Sequence, residues 1–81
     1  MNEPHLNYHH LRLFWEVARA GSLRAAASRL NLSQPTISAQ IKALETSLSE
    51  QLFDRTGRGL KLTVQGRLVM ECAAEIFSLG T

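Results

Sequence analysis

In the stretch SLRAAASRLNLSQPTISAQIKALETSLS, from Ser22 to Ser49, two apolar stripes at helical spacing follow one another with a sharp break between them. Leu23, Ala26, Ala27 and Leu30 fall at i, i+3, i+4 and i+7, one face of a helix. Ser22 precedes them as an N-cap, and the two alanines let a neighbouring helix come close. Asn31 tolerates the left-handed backbone of a tight turn. Leu32 is expected to plug that turn into the core. Ser33 caps the next helix, and Pro35 lies in its first turn, where the missing N–H costs nothing. Ile37, Ile41, Leu44 and Leu48 then give a second stripe, with Gln34, Thr36, Ser38, Gln40 and Lys42 assigned to the opposite face.

That second helix carries short hydrogen-bonding side chains near its start, and its acids, Glu45 and Glu50, come late. Such a face suits a B-DNA major groove, where Gln, Ser and Thr read base edges and helix-terminal N–H groups hold phosphate. Two readings stand at this point: a DNA-binding helix-turn-helix, or an αα-hairpin whose second helix faces water.

The chain has 81 residues and 44% hydrophobic content, enough for one domain with a small core and too apolar for a disordered tail. No apolar run has the length of a membrane span and no cleavable leader is apparent, so the expected location is the cytoplasm. The single cysteine, Cys72, excludes an internal disulfide framework; its place in an apolar stripe predicts a buried, inert thiol. A net charge of +2 permits nucleic-acid binding without demanding it, but Arg55, Arg58, Lys61 and Arg67 crowd a short stretch against one acid, Asp54.

Residues 1–6 lack periodicity and form a loose lead-in. Asn7 caps a first helix running to about Ala20, with Leu11, Phe14, Trp15 and Ala18 as its stripe and Gly21 as its C-terminal stop. Phe14 and Trp15 are core pieces rather than base-stacking platforms. His5 and His9 have i, i+4 spacing, but His5 precedes the cap and no Cys or acid joins it, so no metal is expected. No cofactor is expected in this chain.

After the second stripe, Leu52 and Phe53 open an extended segment, Gly57-Arg58-Gly59 reads as a turn, and Leu60-Lys61-Leu62 alternates as a half-buried strand does. A basic-tipped hairpin directly behind a helix pair reads as a wing. Arg58 at its apex can enter a narrow minor groove, and Arg55 and Lys61 can hold phosphates. Thr63 caps a last helix, from Val64 to about Leu79, whose stripe of Leu68, Val69, Cys72, Ile76 and Phe77 is expected to pair with a twin, the alternative being that it packs entirely on the chain's own helices. The fold class is mainly α: three helices, a two-stranded wing and a long C-terminal linker helix. The divisions are a flexible terminus at 1–6, a winged helix-turn-helix at 7–62 and a linker at 63–81. The chain reads as the DNA-binding piece of a longer protein.

From Asn7 to Leu79 the chain resembles the N-terminal winged helix-turn-helix domain of LysR-type transcriptional regulators. The resemblance rests on Leu11-Arg12-Leu13-Phe14, Gly21-Ser22-Leu23 with Ala26-Ala27, and Leu32-Ser33-Gln34-Pro35-Thr36-Ile37-Ser38. It continues through Gln40-Ile41-Lys42-Ala43-Leu44-Glu45, Leu52-Phe53-Asp54-Arg55-Thr56-Gly57-Arg58-Gly59, and Leu62-Thr63 with Gly66. Each piece is weak alone; the order and spacing are specific. Asn7-Tyr8, Phe14-Trp15 and Gly57-Arg58-Gly59-Leu60 are also similar to the branch that regulates sodium/proton antiporters.

The resemblance implies a homodimer joined through antiparallel linker helices, with tetramers only through an effector domain absent from this chain. It implies binding to interrupted inverted repeats in double-stranded promoter DNA. Carried over by position, Gln34, Pro35 and Ser38 match base-contacting sites, Ser33 and Thr36 flank them, and Arg55 and Arg58 match phosphate and wing contacts. The residues themselves add Thr36 to the base-reading set, and Ser22, Arg24, Ser33, Lys42 and Lys61 to the phosphate and wing set. Three positions depart from the family: Ala39 stands where Arg is common, Arg24-Ala25 shifts a basic group by one position, about 100° around a helix, and Gln65 replaces an acid. A protein-interaction winged helix would carry acids on its second helix and no Arg at the tip. An enzyme would need a nucleophile–base pair, paired carboxylates or a phosphate loop, and none is present.

Overall fold

The computed structural model describes residues 7–54 and 59–78. In chain order these form α1 (Tyr8–Ala20), α2 (Leu23–Leu30), α3 (Gln34–Leu48), β1 (Phe53–Asp54), β2 (Lys61–Leu62) and α4 (Val64–Ser78). The expected boundaries hold because the stop and start signals are used. The Asn7 side chain accepts from the His10 N–H, Ser22 from Ala25, Ser33 from Thr36, and Thr63 from Gly66. Gly21 ends α1 with φ 85°, and Asn31 ends α2 in the left-handed region at φ 58°. The sequence gives no comparable warning of Ser49, which closes α3 at φ 57°.

Helix α1 is the hub: α2, α3 and α4 all pack against it. Its stripe is wider than the expected four residues, since Leu13 and Val17 are buried beside Leu11, Phe14 and Trp15. Phe14, Val17, Ile37, Leu44 and Leu52 are the largest fully enclosed side chains. The Phe14 ring meets Phe53 of β1 at 5.3 Å between centroids, which seats the base of the hairpin on the helical core. The strands are antiparallel, with Phe53 opposite Leu62 and Asp54 opposite Lys61. Lys61 is exposed while Leu60 and Leu62 are half-buried, as the alternation requires. Gly57 and Arg58, expected in the turn, and Arg55 before them lie outside the described residues; Gly59, just after, has φ 78°.

Leu32 does not plug the core. It is exposed, because the N–H of Leu32 bonds the Ala27 carbonyl (3.1 Å) to close α2, and its side chain lies over the rim of α1 beside His9, Leu13 and Leu30.

Helix α4 divides the expected stripe in two. Gly66, Ala73 and Phe77 are buried, with Val69, Met70 and Ala74 packed beside them. Phe77 packs within its own chain, against Tyr8 (5.1 Å) and Trp15 (5.3 Å) of α1. Leu68 and Ile76 are exposed, and so is Cys72. The thiol is therefore exposed rather than buried, and Val69 and Phe77 pack against the protomer's own core. The reason is geometric: adjacent residues on a helix stand about 100° apart, so 68, 72 and 76 form one line and 66, 73 and 77 another.

Candidate nucleic-acid interface

The start of α3 projects from the core, and its order begins with Ser33. Its Oγ accepts the Thr36 N–H at 3.2 Å and donates to Thr36 Oγ1 at 2.8 Å. The hydroxyl of Thr36 is thereby oriented and keeps its own proton for an outside acceptor. Ser33, Gln34, Pro35 and Thr36 are all exposed. They stand at a helix N-terminus, where unpaired N–H groups favour an anion, and no acid occupies the first turn.

Further along α3 the outward line is not quite the expected one. Ser38 is half-buried and turned toward the hairpin, lining a cleft of about 240 Å³ with Leu23, Ile41, Phe53, Asp54, Gly59 and Leu60. Gln40 is half-buried too, and its Oε1 is enclosed without a hydrogen-bond partner among the described residues. The exposed line past Thr36 consists of Ala39, Lys42, Ala43 and Thr46. The sequence pattern places Ser38 and Gln40 on the face opposite the stripe. A wheel centred opposite Ile37, Ile41 and Leu44 selects positions 39, 43 and 46 instead. Short side chains at these positions let the helix backbone approach a flat or grooved partner closely.

Arg24 at the start of α2, Lys42 on α3 and Lys61 on β2 are exposed. Ser22, half-buried, spends its acceptor on the Ala25 N–H at 3.0 Å. An ion pair, Arg12–Glu16 at 3.2 Å, lies on α1. There Arg12 and Arg19 also cover the Trp15 ring, the Arg19 guanidinium at 4.4 Å from the centroid, so these two arginines are spent on packing. Arg55 and Arg58, expected to complete the wing, lie outside the described residues.

Glu45 was missed as a structural residue. It is buried on the flank of the α3 stripe, and its Oε2 accepts the N–H groups of Leu52 (2.8 Å) and Phe53 (3.2 Å). Its position, i+4 from Ile41 and i+8 from Ile37, was the available signal. His9 is exposed and His10 half-buried; among the described residues no three His, Cys, Asp or Glu side chains gather as a metal site, and His5 lies outside them. No helix among the described residues is long and apolar enough to cross a membrane.

Three helices around α1, a close-turned second pair and a two-stranded hairpin leaning on the exposed helix define a winged helix-turn-helix. Residues 8–67 match the family model described as bacterial regulatory helix-turn-helix protein, lysR family, and the chain belongs to that family. It is 46% identical over 80 residues to the transcriptional activator protein NhaR of Escherichia coli (strain K12), covering 99% of this chain and 27% of that protein. Among solved structures it is similar to the BenM DNA-binding domain in complex with benA site 1 DNA. That likeness has a TM-score of 0.84 and 36% identity, over 89% of this chain and 81% of that one. The CbnR DNA-binding domain in complex with DNA gives a TM-score of 0.81 and 42% identity, over 91% and 85% respectively. The chain spans about a quarter of the length of the curated relatives it matches. These relatives are transcriptional regulators rather than enzymes.

Proposed function

We propose that this chain is the sequence-specific, double-stranded-DNA-binding domain of a bacterial LysR-type transcriptional regulator that acts in the cytoplasm. The observation that carries the reading is the pre-ordered start of α3: Gln34, Pro35 and Thr36 are exposed together behind the Ser33 cap, with Arg24, Lys42 and Lys61 exposed on α2, α3 and β2. In this reading residues 7–62 form the reading module and 63–81 the linker. Helix α3 lies in the major groove with Gln34 on a base edge, Thr36 and Pro35 beside it, and Ser38 at the side of the groove nearest the wing. The outward alanines suit contact with thymine methyl groups. Arg24, Lys42, Lys61 and Arg55 neutralise phosphates, Ser22 and Ser33 present helix N-termini to them, and Arg58 enters the minor groove.

Two copies joined through the outward line of α4 (Leu68, Cys72 and Ile76) bind an interrupted inverted repeat. The second contact gains from effective concentration, and the symmetry of the site follows from the twofold. Tetramers require an effector domain. That DNA-binding domains of two family members have been solved on duplexes supports the reading. The test is selection of bound duplexes from a random pool, followed by Gln34→Ala. The substitution is expected to cost about 1–3 kcal/mol and to relax preference at one base position. Equal losses on selected and scrambled duplexes would remove Gln34 from base reading.

A further inference from the structure

Between α3 and α4 the chain passes through residues 51–53, and this short segment is held from both sides. From α3, Glu45 Oε2 accepts the N–H groups of Leu52 and Phe53 at 2.8 and 3.2 Å. From α4, the N–H of Thr63 donates to the Leu52 carbonyl at 3.0 Å, and Thr63 Oγ1 donates to the Gln51 carbonyl at 2.6 Å. The same Oγ1 accepts the Gly66 N–H at 2.9 Å, so one hydroxyl both caps α4 and ties it to the segment. Gly66 has no Cβ, and an added one would stand 2.1 Å from the Leu52 oxygen, so α4 sits directly against this backbone. Five hydrogen bonds thus run without interruption from the body of α3 to the first turn of α4.

Apolar packing on α1 fixes where these helices lie, but it is non-directional and permits small rotations. Hydrogen bonds to a buried carboxylate are directional and roughly twice as strong as neutral ones. We infer that Glu45 and Thr63 are positioning residues that clamp residues 51–53 between them, fix the angle between α3 and α4, and so set the half-site spacing that the dimer accepts. The inference rests on the reading above, in which α3 enters the groove and α4 joins the two copies. Adding one base pair between half-sites moves the second by about 3.4 Å and turns it by roughly 35°, so a rigid junction rejects the change and a loosened one tolerates it.

The experiment measures affinity of the 81-residue chain for three duplexes: one half-site, the selected repeat, and that repeat with one base pair inserted. Wild type is compared with Glu45→Ala, Thr63→Val and the conservative Thr63→Ser, each checked for helical content by circular dichroism. Glu45→Ala and Thr63→Val are expected to keep half-site affinity within about twofold while preference for the selected spacing falls about fivefold or more; Thr63→Ser keeps the wild-type preference. Proportional losses on all three duplexes, or an unchanged spacing preference in folded Thr63→Val, would overturn the inference. If Glu45→Ala does not fold, Thr63→Val decides alone. Wild-type protein that binds no duplex overturns the DNA-binding reading itself. Wild type that binds half-sites without any spacing preference overturns the α4 seam, and this inference with it.

Discussion

Gly66 shows how one residue decides a packing distance. It is buried in the first turns of α4, and the atom an alanine would strike is a backbone carbonyl that already accepts the Thr63 N–H. Neither partner can give way without breaking that bond. Gly66→Ala is therefore expected to destabilise the fold by about 2–3 kcal/mol, the range of a forced overpacking, despite alanine's better helix propensity. In a domain of this size that lowers the thermal midpoint by roughly 10 °C or more in a circular-dichroism melt. Gly21→Ala is a useful comparison: its φ of 85° is unfavourable for alanine, but nothing stands within 4 Å of the added carbon, so it should cost about 1 kcal/mol. A Gly66→Ala melt no lower than that of Gly21→Ala would show that α4 can move off the Leu52 backbone. Glu45 makes the complementary point, as a charge placed where an apolar stripe borders a turn. Sequence reading counted it as a late acid on a DNA-facing helix, whereas it serves the backbone of the next segment.

At the scale of the element, what the sequence shows well is where helices start and stop, because caps act locally: Asn7, Ser22, Ser33 and Thr63 need only a donor two or three residues away. The start of the candidate site is legible for the same reason, since Ser33 and Pro35 fix where Gln34 and Thr36 stand. What is not legible is which side of a stripe meets which neighbour. In α3 this is why Ser38 and Gln40 turn inward while Ala39 and Ala43 face out. In α4 it is why Val69 and Phe77 pack inward while Leu68, Cys72 and Ile76 are exposed. Both depend on how α3 and α4 dock against α1 and the hairpin, which no pattern within the helix itself specifies. The α4 division gives a sharp prediction. Leu68→Asp or Ile76→Asp should leave the melting midpoint of the protomer within a few degrees but shift sedimentation toward monomer, because each charge falls on the outward line. Ala73→Asp, one turn away and fully buried, should instead unfold the domain, since an unpaired buried carboxylate costs several kcal/mol. Unchanged sedimentation in both outward variants would exclude this line from the seam.

For the molecule as a whole, the division of positive charge matters more than its sum. Arg12 and Arg19 lie over Trp15 on α1, and Arg12 also pairs with Glu16, so a net charge of +2 understates how unevenly cations are spread. Arg24, Lys42 and Lys61 are exposed on α2, α3 and β2. Each phosphate neutralised by such a group releases condensed counterions, and the logarithm of the binding constant falls with the logarithm of salt by about 0.9 per contact. Three such cations give a slope near −3 for one protomer, steeper by whatever Arg55 and Arg58 add. Two protomers on an inverted repeat should double the slope found on a single half-site. Lys42→Ala should then lower its magnitude by about 1 on the half-site and about 2 on the repeat, with base preference unchanged. Arg19→Ala should leave the slope alone while lowering stability, because its guanidinium is engaged with an aromatic ring. Salt titrations of these two variants on both duplexes check the assignment: a slope indifferent to Lys42 and sensitive to Arg19 would place the duplex against α1 rather than α3.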